Sequence, residues 1–324
     1  MKLFERKLLR CILVIVVSLS SGAIQAEWPE DKPIKFIIPF GPGGFDAYVR
    51  TVAPVLEKIL GAVVVPENAP GAGGRIGANT VYRARPDGYT IGIWNMPGMT
   101  MPAIVGEKVR YDLNKLSWIA QLSLDGYGLA VKADSPIKTF DDLCNLGRAA
   151  TFSGQGGFTE TASIATVITM AEQGCPYKIV TGYQSSSQAT LAVMRGDVDA
   201  RVNPIGSLLP YVESGDVRLL MTFEKEATVP GVPTVADLGH GEYVNFGLRR
   251  VVAGPPGMPD HIRDKLSTAL IEAMKSEEVR EWSSKTNNPF APLDSEQTER
   301  AMQEVMRFYE KYAELLQTEF KGNQ

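Results

Sequence analysis

Four short runs hold most of the residues that can grip an anion. They are Gly41-Pro42-Gly43-Gly44-Phe45-Asp46, Pro70-Gly71-Ala72-Gly73-Gly74, Ser153-Gly154-Gln155-Gly156-Gly157-Phe158-Thr159 and Tyr183-Gln184-Ser185-Ser186-Ser187-Gln188. Glycine lets successive backbone N–H groups converge on one ligand atom, and serine adds a hydroxyl donor. Nucleotide chemistry does not fit. A dinucleotide turn needs G-x-G-x-x-G, and the first run has no glycine at the third position while Gly71-Ala72-Gly73-Gly74-Arg75-Ile76-Gly77 misses the spacing by one residue. No Gly-Lys-Ser/Thr follows any of them. Hydrolysis is poorly served too. The chain has 2 histidines, His240 and His261, no G-x-S-x-G elbow and no His/Cys/Asp cluster at metal spacing. Asp141-Asp142 at a helix start is explained by the helix dipole alone. No cofactor or metal is expected.

The runs fall at the ends of strands. The segment Ile34–Phe40 is a buried-strand run, and Val49, Val52, Ala53, Leu56, Ile59 and Leu60 follow at helical spacing, with a kink or late start expected at Pro54. A strand then precedes Pro70, a helix passes through Asn79 and Tyr82, and Gly88–Trp94 is the next strand. The same rhythm resumes near Tyr127 and runs to Phe223, and helices fill the C-terminus. This is an α/β pattern with mostly parallel sheets and two units. In such sheets, ligands bind beyond the carboxyl ends of the strands. For any one loop, a tight turn is explanation enough for its glycines. Four loops divided between two units favour a shared anion site.

The chain opens with Lys2, Arg6, Lys7 and Arg10, then a short apolar run ending in small residues. That is a secretory signal pattern, with cleavage expected near Ala26 and Ala23 as the other position. Removing residues 1–26 moves the formal net charge from −4 to −7, which argues against a nucleic-acid surface. Cys144 and Cys175 remain; after export they can pair, or stay as buried thiols.

With these residues in view the sequence resembles the Bug-type extracytoplasmic solute receptors, the substrate-binding proteins of tripartite tricarboxylate transporters. The resemblance runs through Trp28–Gly44, Val63–Ile93, Trp118–Leu143, Val193–Ala200, Val232–Gly239 and Val251–Pro259. Its most specific parts are Glu67–Gly74 and Pro86–Gly92. It implies a two-domain, type II-like periplasmic binding protein that works as a flytrap. A small carboxylate would be held between the domains and passed to membrane permease subunits. The protein would be a periplasmic monomer and not an enzyme. The first loop, Pro42-Gly43-Gly44-Phe45-Asp46, is one glycine shorter than the family's usual form, and Glu160-Thr161 stands where relatives often have a histidine.

On this reading domain 1 comprises residues 27–126 plus 247–324, and domain 2 residues 127–246. The first wall takes Gly43, Gly44, Phe45 and Asp46, with Asp46 capping the first helix or ordering water, and Asn95, Met96 and Pro97 beyond the third strand. The second takes Ser153, Gly154, Gly156, Gly157, Phe158, Thr159, Gln184, Ser185 and Ser186, with Asn203. Arg249-Arg250 sits at the return crossing, and Arg249 is taken as the clamp for a second carboxylate. A secreted α/β hydrolase with Ser153 as nucleophile and a periplasmic ligand sensor are the alternatives.

Overall fold

Isoleucines and Phe36 make β1 (Ile34–Ile38), buried except at Lys35. The computed structural model of the protein describes residues 28–29, 32–154, 160–183 and 185–322. The signal segment expected over residues 1–26 lies outside them. Beyond β1 the chain turns through Pro39–Gly43 into α1 (Gly44–Leu60). This helix starts at the glycines and carries Pro54 inside, so it begins earlier than the proline suggested. β2 (Val64–Asn68), α2 (Arg75–Tyr82) and β3 (Thr90–Met96) complete the first βαβαβ run. After α3 (Met101–Ile104) comes β4 (Ser117–Lys132), 16 residues long.

The second run is α4 (Phe140–Cys144), β5 (Ala150–Ser153), α5 (Thr161–Glu172), β6 (Tyr177–Val180), α6 (Ser186–Arg195), β7 (Ala200–Pro204), α7 (Ile205–Glu213) and β8 (Val217–Thr222). β9 (Gly247–Gly254) returns to β3. Four helices follow: α8 (Asp260–Lys275), α9 (Glu277–Thr286), α10 (Ser295–Lys311) and α11 (Ala313–Gly322). Helical spacing puts Met302, Val305, Met306, Tyr309, Tyr312, Ala313 and Leu316 on one apolar face; that face is buried except for half-buried Met306 and Ala313, and it spans two helices that break at Tyr312.

The strands run in the order β2-β1-β3-β9-β4-β7-β5-β6, with β8 also on β4. Parallel pairs lie toward both ends, β1 with β2 and β3, and β5 with β6 and β7. The middle is antiparallel, because β4 and β9 run against each other and β4 also opposes β7 and β8. The α/β fold expected from the sequence is present, with a sheet that is mixed rather than mostly parallel. β4 changes partners part-way. Ser117–Gly126 pair with β9, and Tyr127–Lys132 pair with β7 and β8.

Local anchors set the registers. Asp199, just before β7, accepts from both Arg148 guanidinium nitrogens at 2.7 Å, from the Thr151 amide at 2.8 Å and from the Thr151 hydroxyl at 2.7 Å. These bonds hold the start of β7 against β5. The Arg148 hydrogen bonds are the main reason the Asp199 carboxyl falls to about 2. α4 is closed by a reciprocal box between Thr139 and Asp142, and at its end Cys144 is disulfide-bonded to Cys175, 31 residues on.

Two outcomes are expected. A carboxylate whose folded pKa is depressed stabilises above its unfolded value, near 4, and loses that contribution as pH falls toward about 2. Asp199→Asn therefore lowers unfolding free energy at pH 7 by about 1 kcal/mol, a figure kept small by the solvent screening of exposed Arg148. In urea titrations from pH 7 to 2, the gap between variant and wild type closes below about pH 4. The chain-entropy model gives a 31-residue cross-link about 3–4 kcal/mol. Cys144→Ser/Cys175→Ser should lower Tm by several degrees in calorimetry, and a reductant should do the same to the wild type alone.

Candidate functional site

The end of β1 and the start of α1 bring Gly43 and Gly44 to the surface with Phe45 half-buried behind them. No side chain caps the N–H groups of the first helical turn, so the dipole end of a 17-residue helix faces out there. Behind Gly44 stands Arg250. A Cβ on Gly44 would lie 3.4 Å from its Nη2. Arg250 is 6% exposed, and its Nη1 donates to Ser123 Oγ at 2.9 Å and to Asp125 Oδ2 at 2.7 Å. Its guanidinium carbon lies 4.5 Å from the Tyr48 ring centre and 5.1 Å from that of Phe45. Burial pushes the Tyr48 phenol up to about 12 and keeps it neutral beneath the cation. Arg250 Nε is buried with no protein partner. Asn95 is opposite Arg250 in the β3–β9 register, on the same face, and its Oδ1 is also buried without a partner. Gly43, Gly44, Phe45, Asn95 and Arg250 thus form one wall.

Several expected members of this wall lie elsewhere. Arg249 points to the other face of β9, because neighbouring strand residues alternate. There it donates to Gln121 Oε1 at 2.8 Å, and burial lowers its pKa. Arg250, not Arg249, meets the glycine loop. Met96 shares the Arg249 side of the register and is fully buried, and Pro97 is buried with its carbonyl accepting from Thr100. Asp46 neither caps α1 nor faces out. Its carboxylate takes Arg50 Nε at 2.9 Å and Asn68 Nδ2 at 2.8 Å, tying the loop to β2. The Gly71–Gly74 turn is a packing device. Gly74 has φ 92°, and a Cβ there would come within 2.5 Å of Met99 and 3.1 Å of Phe40.

The second wall gathers at the ends of β5 and β7 and the start of α6. Its centre is Arg201, which sequence reasoning missed. Arg201 is 1% exposed. Its Nη1 donates to Ser153 O at 3.3 Å, and its Nη2 to Asn203 Oδ1 at 3.0 Å and Ser186 Oγ at 3.2 Å. Asn203 Nδ2 also donates to Ser186 Oγ, at 3.0 Å. Burial pulls the Arg201 pKa down, partly offset by the field of the Glu160 carboxylate, and its hydrogen-bond acceptors among the described residues are all uncharged. The available signal was polar Arg201 and Asn203 two apart in a strand whose Ala200 and Val202 are buried, which puts both on one face.

Other expected residues have local duties. Ser153 is buried and donates to Ala189 O at 2.8 Å. The Gly154 N–H is taken by Val180 O at 2.9 Å, which removes it as a ligand donor. Ser185 caps α6, accepting from the Gln188 N–H at 3.2 Å. Gly156, Gly157, Phe158, Thr159 and Gln184 lie outside the described residues. Between the walls, Tyr127 is an electrostatic neighbour of both Arg250 and Arg201.

The model of the "Tripartite tricarboxylate transporter family receptor" matches residues 48–316. The chain belongs to this receptor family. The receptor is 33% identical over 284 residues to the "UPF0065 protein in gbd 5'region" of Cupriavidus necator, covering 83% of this chain and 84% of that one. It is 28% identical over 290 residues to BugT of Bordetella pertussis, covering 84% and 86%. Among solved structures it resembles a TctC solute binding protein from Polaromonas (TM-score 0.76, 23% identity, 88% and 98% covered). It also resembles MatC from Rhodopseudomonas palustris with bound malate (TM-score 0.66, 22% identity, 89% and 100% covered). A third is an R. palustris protein with adipate (TM-score 0.66, 21% identity, 90% and 98% covered). Family and fold are those of solute-binding receptors. The match begins at Tyr48, so the receptor's first glycine loop precedes the matched span.

Asp125→Asn should leave Arg250 buried without its anion. Removing one partner of such a pair costs about 3 kcal/mol. Urea unfolding at pH 7 measures it, and replacing Arg250 by Met in the same background should recover part of the loss.

Proposed function

We propose that this receptor captures a small carboxylate between two walls and hands it to the permease subunits of a tripartite tricarboxylate transporter. The observation that carries the reading is the pairing of two buried arginines, Arg250 and Arg201, each beside an outward-facing helix start at the end of a strand. Backbone N–H groups and guanidinium donors in such places suit carboxylate oxygens. Malate and adipate in two structural neighbours support the same ligand class.

On this reading residues 27–126 plus 247–324 form one lobe and residues 127–246 the other. The partner change in β4 at Gly126–Tyr127 is where they swing. Only the closed form presents both walls to the ligand, so the ligand selects closure. The receptor is a monomer that acts in the periplasm after cleavage near Ala26. Ser153 as a nucleophile is disfavoured, since its hydroxyl is committed to Ala189 O beside a cation and touches no histidine.

The expected outcome of a thermal-shift screen with mono-, di- and tricarboxylates is a rise in Tm for at least one small di- or tricarboxylate. By mass action a ligand at 100 times its Kd adds about 2.7 kcal/mol of stability. A flat response across the whole library would remove the carboxylate-receptor reading.

A further inference from the structure

We infer that Arg201 is the buried charge of a carboxylate subsite in the second wall, whose donors are the half-exposed Ser186 hydroxyl and, beneath it, the second N–H of Asn203. The inference rests on the carboxylate-receptor reading and deepens it, because it says which wall recognises charge and by which atoms.

The case is one of hydrogen-bond valence. Ser186 Oγ accepts from Arg201 Nη2 at 3.2 Å and from Asn203 Nδ2 at 3.0 Å. Both oxygen lone pairs are then occupied, and the hydroxyl proton can only be donated. No acceptor for it is found among the described residues. Asn203 spends its Oδ1 on Arg201 and one Nδ2 proton on Ser186, which leaves its other proton as a donor. Arg201 therefore does more than hold two side chains in place. It consumes their acceptor capacity and turns a pair of ambivalent groups into donors. Ser186 is half-buried rather than buried, so its proton is within reach of a ligand, while Arg201 and Asn203 lie beneath it at 1% and 3% exposure.

Charge points the same way. The Arg250 guanidinium is matched by Asp125 at 2.7 Å. Arg201 donates only to uncharged acceptors, the Ser153 carbonyl and hydroxyl, Ser186 and Asn203, while the Glu160 carboxylate acts on it through space, and its Nε is buried with no protein partner. A buried guanidinium stays protonated at neutral pH. Ser186 is also the first residue of α6, a 10-residue helix whose positive dipole end adds to the same field. An anion fits this wall, and a neutral isostere such as a primary amide brings N–H groups to a surface made of donors. The first wall, neutral as an Arg250–Asp125 pair, discriminates less between acid and amide.

Isothermal titration of malate, adipate and adipamide (the diamide of adipate) tests this on the full mature chain, with wild type, Arg201→Met, Arg201→Lys and Ser186→Ala. The expected result is that wild type binds at least one of the two acids and not the diamide. Arg201→Met then weakens the acid by about tenfold or more, Ser186→Ala by about tenfold, and Arg201→Lys recovers part of the loss. If an acid binds wild type and folded Arg201→Met equally, the subsite is overturned and the receptor reading stands. If Arg201→Met does not fold by circular dichroism, Ser186→Ala decides, and unchanged acid affinity overturns the subsite. Equal binding of adipate and adipamide by wild type also overturns it. If neither acid binds wild type, the subsite falls together with dicarboxylate recognition.

Discussion

One strand governs the arrangement. β4 is continuous for 16 residues and pairs with β9 through Gly126 and with β7 and β8 from Tyr127 onward. Past Tyr127 it has ladders on both sides and cannot bend there without losing hydrogen bonds. The partners change over the short stretch Gly126–Tyr127. The residues flanking that stretch are the ones wired to the site. Asp125, on the near side, carries the ion pair to Arg250, and Tyr127, on the far side, lies in the fields of both arginines. Residues 223–246 make the second crossing, and Phe223, Tyr243 and Phe246 bury an aromatic cluster there with ring centres 5.4–5.5 Å apart.

The alternation of strand and helix was legible because each element has its own period. Alternation of apolar and polar residues marks β7, and the 3.6-residue period marks α1 and α10. What the sequence hid was phase and capping. Arg249 and Arg250 must face opposite ways in a strand, but which of them meets the glycine loop depends on register. The β4–β9 ladder slips between Trp118 and Ala120 and again between Gln121 and Ser123. Such irregularities leave no reliable mark in composition. Pro54 misled for a different reason. Proline inside a helix is unfavourable on average, but burial of Tyr48, Val49, Val52, Leu56 and Leu60 outweighs the lost bond.

Glycine- and serine-rich loops were readable as places where something happens, and less so as to which atoms do it. Of the second-wall residues that the structure describes, Gly154 and Ser185 spend their polar groups on β6 and α6. Ser186 and Asn203 keep theirs for the hub. The division follows from the short reach of each side chain, which lets an N-cap serine satisfy its own helix before any ligand. Arg201 escaped notice because arginine in a strand is ordinarily a solvated residue. Only the three-dimensional convergence of β5, β7 and α6 buries it.

The two walls differ in how they balance charge, and that difference has energetic consequences. Burying a guanidinium costs several kcal/mol unless an anion and hydrogen bonds compensate. Arg250 has both kinds of compensation, from Asp125 and Ser123, as well as two aromatic faces. Arg201 has hydrogen bonds to uncharged groups and the through-space field of the Glu160 carboxylate. The Asp199–Arg148–Thr151 anchor nearby pins β7 to β5, so the hub cannot relax by letting Arg201 swing out to water without breaking that register. That arrangement concentrates positive potential beneath Ser186 at the start of α6, opposed through space by the Glu160 carboxylate. Positive potential fixed in a low-dielectric wall does not have to be assembled when an anion arrives, and it strengthens each hydrogen bond made to that anion. On the proposed reading, the wall that costs the fold most is therefore the wall with most to gain from a carboxylate, and binding and stability are coupled through the same guanidinium.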